Sequence, residues 1–191
     1  KEFVIFGDAL VETINEFGGR ATSIHGTSVF QATPLTGKNE SGEEVDIGQV
    51  GQVHHCLTEE VLYALSSRLV PVVSPLGRHR ETGKTHNINA DLAAAALACA
   101  LKPAKLVYLS DVPGLLSDPA DQSSLIESVT GDEARDLMAN GTISGGMIPK
   151  ITSALEALES GVEKVHFIDG RMPHTLLLEI FTKSGIGTEI R

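Results

Sequence analysis

The stretch "THNINADLAAAALACALKPAKLVYLSDVPGLL", residues 85–116, decides the fold. Its middle, with consecutive alanines at 93–96, reads as a helix without bulk that can lie close against a sheet. Lys102-Pro103 ends that helix and is the best hinge in the chain, because proline pushes the residue before it out of helical geometry. "KLVYLSDV" then runs apolar as a strand and stops at Ser110-Asp111, before the turn Val112-Pro113-Gly114. Upstream, "VPVVSPL" has the continuous apolar character of a buried parallel strand. Strand, helix and strand in this order define an α/β fold.

The alternation continues in both directions. Leu10, Val11, Ile14 and Phe17 mark one face of a helix that Gly18-Gly19 stops, and "ATSIHG" follows as a strand. Residues 28–53 hold strand-like pieces around a polar, glycine-containing turn, which predicts a hairpin. "TEEVLYALSSRLV" predicts a helix with Thr58 as N-cap and glutamates in the first turn. Downstream come helices over "GDEARDLMANG" and "PKITSALEALESG", a strand over "VEKVHFIDG" and a helix over "PHTLLLEIFTKSG". The expected architecture is a three-layer α/β sandwich with a largely parallel central sheet.

Composition narrows the partners. With 41% hydrophobic and 21% charged residues over 191 positions, the chain can bury a proper core. Its formal charge of -10 repels phosphate backbones and no Lys/Arg cluster offsets it, so nucleic acid is not an expected partner. No apolar run approaches the roughly 20 residues of a membrane helix, and "KEFVIFGDAL" is too acidic for a signal peptide, so no membrane is expected and the expected location is cytoplasmic. Cys56 and Cys99 form no framework and read as buried free thiols. In "VHHC" the adjacent histidines point to opposite faces of a strand, so no metal is expected there.

Three stretches carry chemistry. In "NINAD", Asn87, Asn89 and Asp91 cluster where a helix begins, and free backbone N–H groups and the positive dipole end suit an anionic ligand. Helix capping by Asn89 and Asp91 is the competing reading. In "LVYLSDVPGLL", Ser110 and Asp111 end a strand at its carboxyl edge, where open α/β sheets bind ligands, and turn formation alone also accounts for them. In "NGTISGGMIPKI", Gly145-Gly146 allows close backbone approach, and Pro149 suits a first helical turn. Lys150 at that helix beginning opposes the dipole, as a lysine answering to a ligand anion would, or as an exposed lysine with no partner.

"NINAD", "LSDVPGLL", "GGMIPKI", "HFIDGRMPHTLLLEIF" and "GIGTEI" stand in the order and spacing of the acetylglutamate kinases, a family of the amino acid kinase superfamily that this chain resembles. The resemblance is close from residue 60 onward and followable from residue 5 through "VETINEFGGRA" and "DIGQVGQV". It implies ATP-dependent phosphorylation of the side-chain carboxylate of N-acetyl-L-glutamate, a step of arginine biosynthesis, with Mg2+ carried mainly by the phosphates. Residues 1–103 would be the remainder of the amino-acid-substrate-binding lobe and residues 104–191 the nucleotide-binding lobe. Lys150 would be a catalytic cation and Asp91 the catalytic organiser that holds lysine ammonium groups, with Asn87 and Asn89 binding substrate. The nucleotide would lie along Ser110, Asp111, Val112, Pro113, Gly114, Leu115 and Leu116, and along Thr142, Ile143, Ser144, Gly146 and Met147. His166 and Glu179 match part of an arginine effector site, with a surface helix residue and a plain strand residue as the competing reading. The intact protein would be a homo-oligomer.

The family's first strand, with its lysine and glycine pair, and the later substrate arginine have no counterpart here, and "SIHGTSVF" stands where the family reads otherwise. The expectation is therefore an amino acid kinase-like fold without its N-terminal strand, turning over little substrate by itself. The alternatives are a kinase for another acylated amino acid such as an aminoadipate derivative, the kinase-like domain of an acetylglutamate synthase, or a non-catalytic nucleotide-binding or regulatory module.

Overall fold

The computed structural model describes residues 2–38, 41–118, 120–182 and 185–191, so Lys1, Asn39-Glu40, Pro119 and Lys183-Ser184, the end of the predicted last helix, lie outside the described residues. The chain divides into two compact units, the first ending at Ala100 and the second beginning at Leu101.

In the first unit, helix α1 (Glu2–Glu16) and strand β1 (Ala21–Ile24) are joined by a turn that Asn15 fastens at both ends. Its amide oxygen accepts from the Ala21 N–H at 2.7 Å and its amide nitrogen donates to the Ala21 carbonyl at 3.2 Å. The sheltered stripe of α1 is Val4, Gly7, Val11 and Ile14, a 3-4-3 spacing that keeps one face on the sheet. Leu10 and Phe17, expected on that face, are exposed, Leu10 because it lies off the stripe and Phe17 because the helix ends before it.

A short helix α2 (Gly26–Val29) leads into β2 (Phe30–Lys38), which pairs antiparallel with β3 (Glu44–Cys56) as the predicted hairpin. Helix α3 (Glu59–Ser66) follows, preceded by Thr58 at the N-cap position. Thr58 makes no side-chain cap bond, contrary to the sequence reading, because its backbone sits in the helical region (φ -97, ψ -3) rather than the extended one a cap requires. Strand β4 (Val70–Val73) is parallel to β1, as predicted. It is not buried, since this sheet has only these two described strands and Val70 is exposed.

Two strands of this unit were not predicted: β5 (Leu76–His79) and β6 (Thr85–Ile88), which close a barrel with β2 and β3. Their length of four residues and the charged "RETGK" between them hide the period-2 signal. Helix α4 (Ala90–Leu101) buries Ala93, Ala95 and Ala98, the small residues that permit close packing.

The second unit is built on a four-stranded sheet ordered β7-β9-β10-β8, from β7 (Lys105–Ser110), β8 (Ser128–Val129), β9 (Lys164–Asp169) and β10 (Thr188–Ile190). Strands β7 and β9 run parallel over six register pairs, from Lys105 against Lys164 to Ser110 against Asp169. Three helices complete it: α5 (Gly131–Ala139), α6 (Met147–Ser160) and α7 (Thr175–Phe181). Thr130 and Glu133 form a reciprocal capping box on α5, and Gly161 ends α6 in the left-handed region. Tyr108 stacks on Phe167 at 4.9 Å between ring centroids, and Val165, Ile168, Ile190 and Ile151 fill the core around them. Parallel pairs in both units, with helices packed on them, make this an α/β fold.

Candidate functional site

In the first unit the "NINAD" residues occupy the end of β6 and the start of α4. Asn87 is exposed and pairs in register with Val50 of β3 and Leu76 of β5. Asn89 caps α4: its side-chain oxygen accepts from the N–H of Asp91 at 2.9 Å and of Leu92 at 3.2 Å. Two of the backbone donors expected to point at an anion are therefore consumed, because a short amide side chain reaches them at no entropic loss beyond its own rotamer. Asp91 is half-buried in the first turn.

The second unit assembles more. Lys150, the fourth residue of α6, donates from Nζ to Ser110 Oγ at 3.1 Å, and that hydroxyl donates in turn toward Asp111 Oδ1 at 3.3 Å. The Lys150 carbonyl accepts from Ser153 Oγ at 2.9 Å, and Ser153 Oγ lies 3.3 Å from the hydroxyl of Tyr108. The lysine is thus set by the β7 strand on one side and by its own helix on the other.

A cavity of about 190 Å³ is lined on one side by Val112, Gly114, Leu115 and Leu116 and on the other by Thr142, Ile143, Ser144 and Met147. All eight were singled out from the sequence, whereas Ser110, Asp111, Pro113 and Gly146 are not part of its lining. Its first wall is pinned by Thr188 of β10: the Leu115 N–H donates to Thr188 Oγ1 at 2.8 Å, and that hydroxyl donates to the Ile126 carbonyl at 2.6 Å. Gly114 is required here, since its φ is 149° and a Cβ would stand 2.5 Å from Thr188 Oγ1. The reverse holds at Gly146, where a Cβ would meet nothing within 4 Å, so packing places no demand for glycine and the space before it is open.

The sequence reading assigned no role to Asp169 and Arg171, which complete the carboxyl edge of β7 and β9. Asp169 accepts from Arg171 Nε at 2.9 Å, from Arg171 Nη2 at 2.7 Å and from the Arg171 backbone N–H at 2.9 Å. These bonds hold the Asp169 carboxyl down at about 2, below its usual range, and raise the arginine correspondingly. Between them, the Gly170 N–H donates to the Ser110 carbonyl at 2.8 Å. A signal was present: "IDG" ends an apolar strand as "LSD" does.

His166 and Glu179 do meet. Glu179 is buried, not a helix surface residue, and its carboxylate is shared among His166 Nδ1, the Ile186 N–H at 2.8 Å and the Gly187 N–H at 3.3 Å. It fastens the segment before β10, and it borders a cavity of about 350 Å³ that Lys164, Glu189 and Arg191 also line. Elsewhere, His54 and His55 are exposed, and no group of three metal-ligating side chains occurs among the described residues. Cys56 and Cys99 are free thiols, half-buried rather than buried; desolvation and the neighbouring Cys99 push the Cys56 thiol up to about 11. No helix among the described residues is long and apolar enough to cross a membrane.

The sequence profile of the Amino acid kinase family matches residues 2–169. An acetylglutamate kinase of Akkermansia muciniphila is 58% identical over 181 residues, covering 95% of this chain and 61% of that protein. One of Desulfitobacterium hafniense is 44% identical over 94% of this chain and 62% of its own length. The chain therefore spans about three fifths of the length of these curated relatives. Among solved structures, an N-acetylglutamate synthase of Neisseria gonorrhoeae complexed with coenzyme A and L-arginine superposes with a TM-score of 0.76 at 31% identity, over 90% of this chain and 38% of that one. A carbamate kinase of Giardia lamblia bound to AMP-PNP, 14% identical with a TM-score of 0.67 over 96% of this chain and 70% of its own, shares the fold. A family profile matching residues 2–169 and relatives at this identity leave one assignment: the chain belongs to the amino acid kinase family.

Proposed function

We propose that this chain serves the ATP-dependent phosphorylation of the side-chain carboxylate of N-acetyl-L-glutamate, as its similarity to acetylglutamate kinases suggests. The observation that carries the nucleotide half is the placement of Lys150. Its ammonium rests on Ser110 at 3.1 Å; Ser110 is two residues before Val112 and Lys150 three residues after Met147, and both Val112 and Met147 line the 190 Å³ cavity. An apolar slot with a lysine about one helical turn beyond its Met147 wall suits a purine ring followed by phosphates.

In this reading a substrate carboxylate oxygen attacks the γ-phosphorus, the bond to the β–γ bridging oxygen breaks, and ADP leaves behind an acyl phosphate. Lys150 offsets charge on the transferring group. Asn87 and Asn89 bind the acylated amino acid, and Asp91 acts as a carboxylate organiser of ammonium groups. Mg2+ carried on the phosphates would neutralise part of their charge. Residues up to 103 serve the amino acid and those from 104 the nucleotide, in a cytoplasmic homo-oligomer.

The test is ADP release that depends on N-acetyl-L-glutamate, expected to be low but measurable for this chain by itself, set beside calorimetric binding of Mg-ATP. Binding with no release for any acylated amino acid, aminoadipate derivatives included, would leave a nucleotide-binding module instead. Asp91→Asn is expected to abolish release while leaving ATP affinity within about threefold. For His166 and Glu179, arginine binding would have to displace the bonds that Glu179 already makes, and heats on titration with L-arginine would support that role.

A further inference from the structure

Arg171 is the least explained strong feature of the second unit. Its guanidinium is largely exposed, yet it is fixed by two side-chain bonds to Asp169, whose own side chain is nearly buried. Exposed ion pairs are worth little for folding, so stability alone gives no reason for such fixation. The anchor is well placed. Asp169 is the direct register partner of Ser110, and Gly170 bonds back to Ser110, so Arg171 springs from the same row of the sheet that receives Lys150. Asp111 also acts on Arg171 through its charge. Two cations thus flank the Ser110-Asp111 dipeptide, one from α6 and one from the end of β9, at the carboxyl edge of parallel strands where α/β folds take ligands.

We propose that Arg171, positioned by Asp169, forms with Lys150 a polyphosphate subsite that grips the phosphate tail of the nucleotide. Asp169 occupies Nε and one hydrogen of Nη2, which leaves the Nη1 edge of the fork for phosphate oxygens. Lys150, held on Ser110 across the sheet register from Asp169, adds a second charge without competing for the same oxygen pair. The inference deepens the nucleotide reading above and rests on it for the identity of the ligand, while the subsite's own chemistry asks only for adjacent phosphates.

The experiment is calorimetric titration of the chain with Mg-ATP, adenosine and inorganic tripolyphosphate. Arg171→Gln is expected to weaken ATP and tripolyphosphate about 10- to 100-fold and to leave adenosine unchanged. Unchanged adenosine affinity also shows that the variant is folded. Arg171→Lys, which keeps the charge but loses the forked grip, falls between. Asp169→Asn, which frees the guanidinium without removing it, should cost ATP less than Arg171→Gln and again spare adenosine. ATP affinity indifferent to Arg171→Gln, or an equal loss for ATP and adenosine, overturns the subsite. Arg171-dependent binding of tripolyphosphate without any binding of adenosine sustains the subsite and defeats the nucleotide reading.

Discussion

The beginnings of α4 and α6 look alike in sequence, each a run of small and polar residues before a helix, and they are finished by different means. At α4 the cap comes from inside the segment: Asn89 takes the N–H groups of Asp91 and Leu92. At α6 the N-cap is Gly146, which has no side chain to offer, and the Met147 and Ile148 N–H groups turn back to Ser144 and Gly145. The polar partner that matters there is Ser110, forty residues earlier. A helix start closed by its own side chain has two of its backbone donors already engaged. One whose first-turn lysine is held by a distant strand end is organised for something outside the helix.

The largest effect should come from removing the floor of the α6 site. Phe167→Ala takes away the ring stacked on Tyr108, whose hydroxyl meets Ser153 on α6, and is expected to cost about 3–5 kcal/mol in urea denaturation. A loss below about 1 kcal/mol would mean that this edge does not depend on the core beneath it. Next comes Thr188→Val, which strands the Leu115 N–H and the Ile126 carbonyl in a buried place. About 1–3 kcal/mol should be lost, with a matching fall in adenosine affinity as the cavity wall loosens. Unchanged adenosine binding would separate that wall from the ligand.

The other side of the comparison is tested by Asn89→Ala, expected to cost about 1 kcal/mol by thermal melting. If Asn89 were a ligand group alone, stability would not move. The smallest effect concerns acid. Asp169 has its carboxyl depressed to about 2, so its contribution is full above the ordinary aspartate value near 3.8 and fades as pH falls through about 2. Melting temperature should therefore drop between about pH 4 and 2, and by less in Asp169→Asn. Equal acid slopes in the two proteins would show that the Arg171 bonds add nothing to folding.

Much of this was readable in advance where the signal is local. The alanine helix, the strand ending at Ser110-Asp111, the hairpin over 28–53 and the helices over α5 and α6 all follow from periodicity, turn residues and glycine stops. The cavity-lining residues were legible only through order and spacing of motifs. What failed was short or tertiary: β5, β6, β8 and β10 carry two to four residues each, too few for a period to show. Thr58 followed the capping pattern and missed because its backbone entered the helix first. Glu179 looked like a polar helix residue and is instead buried against backbone donors of a later segment.

Sequence alone determined the alternation of strands and helices and the chemical types available at three turns, since both depend on neighbours within one or two helical turns. Only the tertiary structure decided which of those groups meet. The register of β7 against β9 puts Ser110 beside Asp169, and from that row follow the Lys150 bond and the setting of Arg171. Register is fixed by side-chain packing across strands more than fifty residues apart, which no local pattern encodes.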